Sequence, residues 1–199
     1  MGRRLSAILL GLVSAFVLAG PVMADTTPGP GNFRDSGTSD YFSAFATECG
    51  QSTCTDTFVY GANVDLQGGE SFSYLCVDQF TYPLRGGGRF QSLSGCVDTN
   101  VSIASDLTSA SASATILADS CGRRTCSSEE LTVSVSLTGS GDANAYSYTQ
   151  KDQFENCTDT YRVRGERAPA EGTIVLNGTE LSAFGEIGSE TFAFSSRCR

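Results

Sequence analysis

The chain has no histidine and no tryptophan, and only 5 prolines among its 199 residues. Its one lysine is Lys151. Without histidine there can be no Ser-His-Asp or Cys-His nucleophile system and no His-ligated zinc or iron centre. A Ser-Lys dyad would have to use Lys151, which lies beside Asp152 in a polar stretch and reads as a solvated surface charge. Charge is lopsided too, with 13 basic side chains against 22 acidic ones and a net charge of −9. That balance repels phosphate backbones and anionic headgroups, so neither nucleic acid nor a membrane surface is expected as a partner. Leucine and methionine are scarce while serine, threonine and glycine abound, which favours strands and turns over helices.

The N-terminal segment is the exception to this polarity. Arg3 and Arg4 precede an apolar run from Ala7 to Ala19 broken only by Ser14, and Val22-Met23-Ala24 places small residues where a signal peptidase reads. This is the pattern of a cleavable signal peptide, with cleavage expected after Ala24. The run is shorter than the roughly 20 apolar residues of a membrane span. It also lacks the flanking residues of a twin-arginine signal, and no cysteine stands near the cleavage site for lipidation. Residues 1–24 are therefore expected to be removed on secretion, with no membrane insertion afterwards. Loss of Arg3 and Arg4, with no acid, leaves 11 basic and 22 acidic side chains and a net charge of −11. Residues 25–40, rich in Pro, Gly, Asp and Thr, read as a flexible lead-in, and 41–199 as the folded domain.

Cysteines stand at 49, 54, 76, 96, 121, 126, 157 and 198. An even number in an exported chain predicts a disulfide framework. The gap between Cys49 and Cys54 does not suit a zinc knuckle, and no metal or other cofactor is expected. The segment Cys49-Gly50-Gln51-Ser52-Thr53-Cys54 recurs as Cys121-Gly122-Arg123-Arg124-Thr125-Cys126, and each copy is followed by alternating strands and two further cysteines. The spacing suggests a duplicated four-cysteine unit, with half-repeats of about 41–110 and 113–199. Eight cysteines admit 105 connectivities. Equivalence of the halves favours the local pairing Cys49–Cys54, Cys76–Cys96, Cys121–Cys126 and Cys157–Cys198.

Period-2 patterns dominate the remainder. Leu131, Val133, Val135 and Leu137 alternate with Thr132, Ser134 and Ser136, so one face is buried and the other solvated. Asn177-Gly178 between two apolar runs is a strong two-residue hairpin signal. Ser105 to Ala118, with interleaved Ser and Ala, is the one helix-like stretch; it has no apolar stripe of helical period and reads better as a strand or link. About ten short strands between turn signals predict an all-β antiparallel sandwich stapled by disulfides.

Little in the sequence marks a site. Gly139 to Asn144 carries alternate oxygen donors suited to calcium but lacks the rest of an EF-hand loop, and is read as a turn. Asn100, Asn156 and Asn177 begin glycosylation sequons, but Asn177 sits in a tight turn and Asn156 beside a cysteine. The short Arg-led signal and the excess of Arg over Lys look bacterial, so these are read as chance matches. Two basic features stand out. Arg123 and Arg124 occupy the tip of the second short cysteine loop, and Arg162 and Arg164 share one face of a strand. Either pair could grip a sulfated, uronic or carboxylate-bearing partner through guanidinium contacts; the plainer reading is cross-strand pairing with nearby acids. Tyr82, Tyr146 and Tyr148 could stack sugars or simply pack as half-buried strand residues.

The expectation is a secreted, non-enzymatic, disulfide-stabilised binding domain whose partner is an extracellular protein or polysaccharide. Two alternatives stand beside it: a His-free polysaccharide hydrolase using paired carboxylates, and a protease inhibitor presenting the 121–126 loop.

Overall fold

The structure is a computed structural model that describes residues 33–84, 90–122, 125–154 and 157–198. The expected signal peptide, most of the lead-in, Arg123, Arg124 and Asn156 lie outside these described residues. The strands are β1 (Phe33–Cys49), β2 (Thr53–Leu66), β3 (Ser71–Pro83), β4 (Gln91–Asp98), β5 (Val101–Ile103), β6 (Ser109–Cys121), β7 (Cys126–Gly139), β8 (Asn144–Phe154), β9 (Cys157–Leu176) and β10 (Thr179–Cys198). The fold is all-β and every strand pair is antiparallel, as the alternating pattern predicts.

The strands run in the order β10-β1-β2-β3-β4-β6-β7-β9, and β9 pairs back onto β10, so the ladder closes into a ring of eight staves. Two short elements extend this ring. β5 follows β4 and pairs the same strand, β6, while β8 follows β7 and pairs the same strand, β9. Opposite walls of the one curled sheet thus face each other across one core. Each expected half-repeat supplies four staves, β1 to β4 and β6, β7, β9 and β10.

The core follows directly from strand alternation. Phe42 sits between Ile187 of β10 and Gly61 of β2, and the same row continues through Leu75 to Val97. Phe42, Leu75 and Ile187 are fully buried. The Ser-Ala stretch forms β6, with Ala110, Ala112 and Ala118 buried and the intervening serines outside. Ala110, Ala112 and Ala114 lie opposite Leu137, Val135 and Val133, so small side chains on one stave make room for large ones on the next. At Asn177 and Gly178, φ is 47° and 83°, the left-handed geometry of a type I′ hairpin turn. The turn is anchored to β7, because Thr132 N donates to Asn177 Oδ1 at 2.9 Å and Asn177 N donates to Thr132 O at 2.9 Å.

The ring has one thin seam. β4 pairs β6 only through Ser92, Leu93 and Ser94, β5 pairs it only through Val101, Ser102 and Ile103, and Ser113 to Ala118 have no register partner on that side. The two backbones still approach closely there, since a Cβ added to Gly95 would come within 2.8 Å of Ile116 Cγ2.

Three expected disulfides are present. Cys49–Cys54 and Cys121–Cys126 close the β1–β2 and β6–β7 hairpins, and Cys76–Cys96 ties β3 to β4 in mid-ladder. Cys157 is disulfide-bonded and lies opposite Cys198 in the β9–β10 register; the Cys198 side chain is outside the described ones. Three intramolecular bridges point to an oxidising environment.

One boundary differs from expectation. β1 already begins at Phe33, and residues 33–40, assigned by composition to the lead-in, pair with β10 and from Gly37 also with β2. These residues are held by the long β10, whose far half extends past the ring and would otherwise have a bare edge. The outer parts of β8, β9, β10 and β1 together form a wall rising beyond the barrel.

Candidate functional site

The two faces of this wall differ completely. On the face continuous with the barrel interior, alternation lifts Arg162 and Arg164 of β9 into solvent. Their neighbours across the strands are not acids. Arg162 lies between Thr149 and Ala193, and Arg164 between Ser147 and Thr191. Register adds three cations that are far apart in sequence. Lys151, Thr160, Ser195 and Arg34 form one cross-strand row, and Arg197 follows beside Thr158. Arg34, Lys151, Arg162, Arg164 and Arg197 are all exposed. The one ion pair among the described residues is elsewhere, between Arg167 and Glu186. Cross-strand pairing with acids, the plainer reading of Arg162 and Arg164, is therefore not what surrounds them.

Acids on this face lie nearer the barrel mouth. Glu166 and Asp40 share the row that borders the core, and Asp65 lies farther along the row of Arg164. The surface thus grades from apolar core through a carboxylate row to a cationic outer field. Same-face residues are about 7 Å apart along a strand and about 5 Å across strands, so the five cations cover roughly 14 by 20 Å.

The opposite face is aromatic. Tyr41 and Val163 are buried there, and Tyr60, Tyr74, Tyr146, Tyr161, Phe72 and Phe192 are half-buried. Ring contacts run from Tyr146 through Tyr148 and Tyr161 to Phe192, and from Tyr41 through Tyr60 and Tyr74 to Phe72. The two runs meet where Tyr41 Oη lies 3.2 Å from Tyr146 Oη. Tyr41 can reach so far because it lies over Gly188, where an added Cβ would be 2.5 Å from its ring. Tyr146 donates to Glu190 Oε2 at 2.6 Å, so its single proton is engaged and Tyr41 must donate in the contact between the tyrosines. Tyr41 also approaches Glu186 Oε1 at 3.4 Å, and the Arg167 guanidinium, paired with Glu186, lies 5.3 Å from the centre of the Tyr146 ring.

Burial pushes the phenols of Tyr41, Tyr146 and Tyr161 well above their ordinary range, and for Tyr146 the hydrogen bond to Glu190 adds to the effect. The Glu190 carboxyl is raised first by burial, against the lowering effect of the Tyr146 hydroxyl. Glu190 therefore keeps its proton to higher pH in the folded chain than in the unfolded one. Its contribution to stability is greatest below the ordinary carboxyl range and falls as pH rises through the folded pKa. Glu190→Gln, which preserves an acceptor for Tyr146, is expected to raise the melting temperature at pH 7 and leave it unchanged at pH 3. Thermal melts across that range check this, and an equal effect at both pH values would contradict it.

Two carboxylate pairs fall on this face: Asp152 and Asp159 lie directly opposite each other in the β8–β9 register, and Glu186 and Glu190 stand four apart on β10 with the two tyrosine hydroxyls between them. Tyr146 and Tyr148 belong to this packed cluster, whereas Tyr82 lies apart on β3, its hydroxyl 3.5 Å from Asp56 Oδ1. The Gly139–Asn144 segment carries the chain from β7 to β8, and Asn144 Nδ2 donates to the Asp142 carbonyl at 3.0 Å. Arg123 and Arg124 lie outside the described residues; the strands flanking them end at Cys121 and Cys126, where Gly122 N donates to Thr125 O at 2.9 Å. Sequence reasoning missed Arg34, Lys151 and Arg197 because each is a single cation in its own strand, with no second one two residues away. The available signal was parity: on paired strands each falls on the alternation face of Arg162.

No protein-family model, curated protein or solved structure matches this chain.

Proposed function

We propose that the protein is an exported, disulfide-stabilised binding domain, without enzymatic activity, that takes an anionic extracellular partner on the cationic face of its β8-β9-β10-β1 wall. The observation that carries this reading is the setting of Arg162 and Arg164, exposed guanidinium groups whose cross-strand neighbours are Thr, Ser and Ala. In an acidic chain, cations serving only solubility or pairing would be expected beside carboxylates. Guanidinium forks left without internal partners are suited to carboxylate, sulfate or phosphate oxygens. The nearest carboxylate on this face, Glu166, stands two residues from Arg164 and about 7 Å along the strand, so it borders the field on one side, while Arg162 lies one row farther from it.

Export is supported by the signal-like N-terminus together with the disulfides, which suit an oxidising compartment. The test of the binding role is retention of the oxidised protein on an immobilised anionic matrix such as sulfated agarose. The Arg162→Ala, Arg164→Ala variant is expected to bind about tenfold more weakly or worse, since two charge-assisted contacts are lost. Equal retention of the variant and the unaltered protein would overturn the reading.

A further inference from the structure

The geometry points to a linear acidic polysaccharide, bearing uronate or sulfate groups, as the ligand of this face, held by Arg34, Lys151, Arg162, Arg164 and Arg197 acting together. This inference rests on the anion-binding reading above and extends it from one strand to four. The five positions form an open field in which each cation has a neighbour at roughly 7–8 Å, estimated from strand rise and strand spacing. A single small anion would meet one or two of them. A polymer with repeated charges can meet all five.

The floor between the cations decides among polymers. It consists of Ser147, Thr149, Thr158, Thr160, Thr191 and Ser195, whose hydroxyls both donate and accept, as sugar hydroxyls do. Among the described residues this face of the wall carries no aromatic ring on which a nucleobase could stack, the feature that single-strand binders depend on. Its described floor is lined by hydroxyl side chains, where a peptide's anchoring side chains would need apolar ones. Glu166, Asp40 and Asp65 border the field on the barrel side. They repel a polyanion from the mouth and confine it to the outer rows.

The experiment measures binding of the oxidised protein to polygalacturonate and to dextran sulfate, each at several chain lengths. Galacturonic acid, neutral dextran, poly-glutamate and single-stranded poly(dT) serve as comparisons. Binding is expected for at least one of the two polysaccharides, and which one distinguishes a carboxylate from a sulfate ligand. Affinity should rise with chain length and then level off. Five contacts predict a slope of log K against log salt of about −3 to −4, so affinity falls about a hundredfold between 50 and 200 mM salt. The Arg34→Ala, Lys151→Ala, Arg197→Ala variant, with Arg162 and Arg164 intact, should lose about two units of that slope. Arg34→Lys with Lys151→Arg should retain it. Melting temperature checks that each variant is folded.

If galacturonic acid binds as well as its polymer, or the triple variant matches the unaltered protein, this inference fails while the Arg162 and Arg164 reading stands. Tighter binding of poly(dT) or poly-glutamate than of either polysaccharide also overturns it. If no anionic polymer is retained even at low salt, both readings fall.

Discussion

Reduction of the disulfides is expected to unfold the protein at 37 °C, the largest single effect foreseen for it. The Cys49–Cys54 and Cys121–Cys126 bridges, each with a sequence separation of 5, close short loops. In the chain-entropy account each contributes about 2 kcal/mol. Cys76–Cys96 has a separation of 20 and closes a longer loop, for which the same account gives about 3 kcal/mol. These contributions are not strictly additive, yet together they rival the ~5–15 kcal/mol net stability of a whole domain. Cys76–Cys96 should matter most for a further reason: it braces β4, which has few paired residues on its other side. Replacing Cys76 and Cys96 by Ser is therefore expected to lower the melting temperature by about 6–12 °C. Melts of the oxidised, reduced and doubly substituted chains test this, and an unchanged transition under reductant would remove the structural role of the bridges.

Phe42→Ala is expected to cost about 3–5 kcal/mol, the range for emptying a large aromatic site in a packed interior. Phe42 is fully buried, with Ile187 opposite on one side and Gly61 on the other. An added Cβ at Gly61 would lie 2.5 Å from the Phe42 ring, so the ring already occupies the space that a side chain at 61 would need. The cavity left by Ala could not be filled from that strand. Phe45→Ala, on the outer face of the same strand, should cost well under half as much. Phe45 packs tilted against Phe58 and meets Phe184 edge-on, but Phe184 is itself 56% exposed, so water already reaches that cluster. Comparing the two variants in denaturant titrations tests which face of β1 is inside. Equal losses would contradict the closed ring.

The comparison of Phe42 with Phe45 also shows how much of the fold was legible in the sequence. Alternation identifies strands and gives each two faces, which is why β7 and the Asn177-Gly178 hairpin were readable from local pattern alone. Alternation does not say which strands are neighbours beyond a hairpin. The pairing of β10 with β1, separated by almost the whole chain, is what closes the ring and recruits residues 33–40 into a strand. Their Pro-, Gly- and Asp-rich surroundings suggested mobility, because composition reports what a segment can do unaided.

The candidate site was half legible for the same reason. Arg162 and Arg164 are two apart, so they share a face on any strand. Arg34 joins them only through β10, and Lys151 only through the β8–β9 register. Likewise, the contact between Tyr41 and Tyr146 depends on strand neighbours beyond any hairpin and on the space left over Gly188, which no local pattern announces.

The seam between β4, β5 and β6 has a consequence for the order in which the molecule comes apart. Every other junction of the ring is a longer ladder, with 13 paired positions between β10 and β1. Backbone opening spreads from where the fewest bonds must break together, so amide protons on the seam side of Ser113 to Ala118 should belong to the least protected unit of the barrel. The seam also falls between the first four staves of the ring and the last four. A barrel that parts there becomes two curled four-strand leaves joined along β10 and β1, with each cysteine-closed hairpin inside a single leaf. The crosslinks thus hold each leaf together and leave the line between the leaves free to breathe.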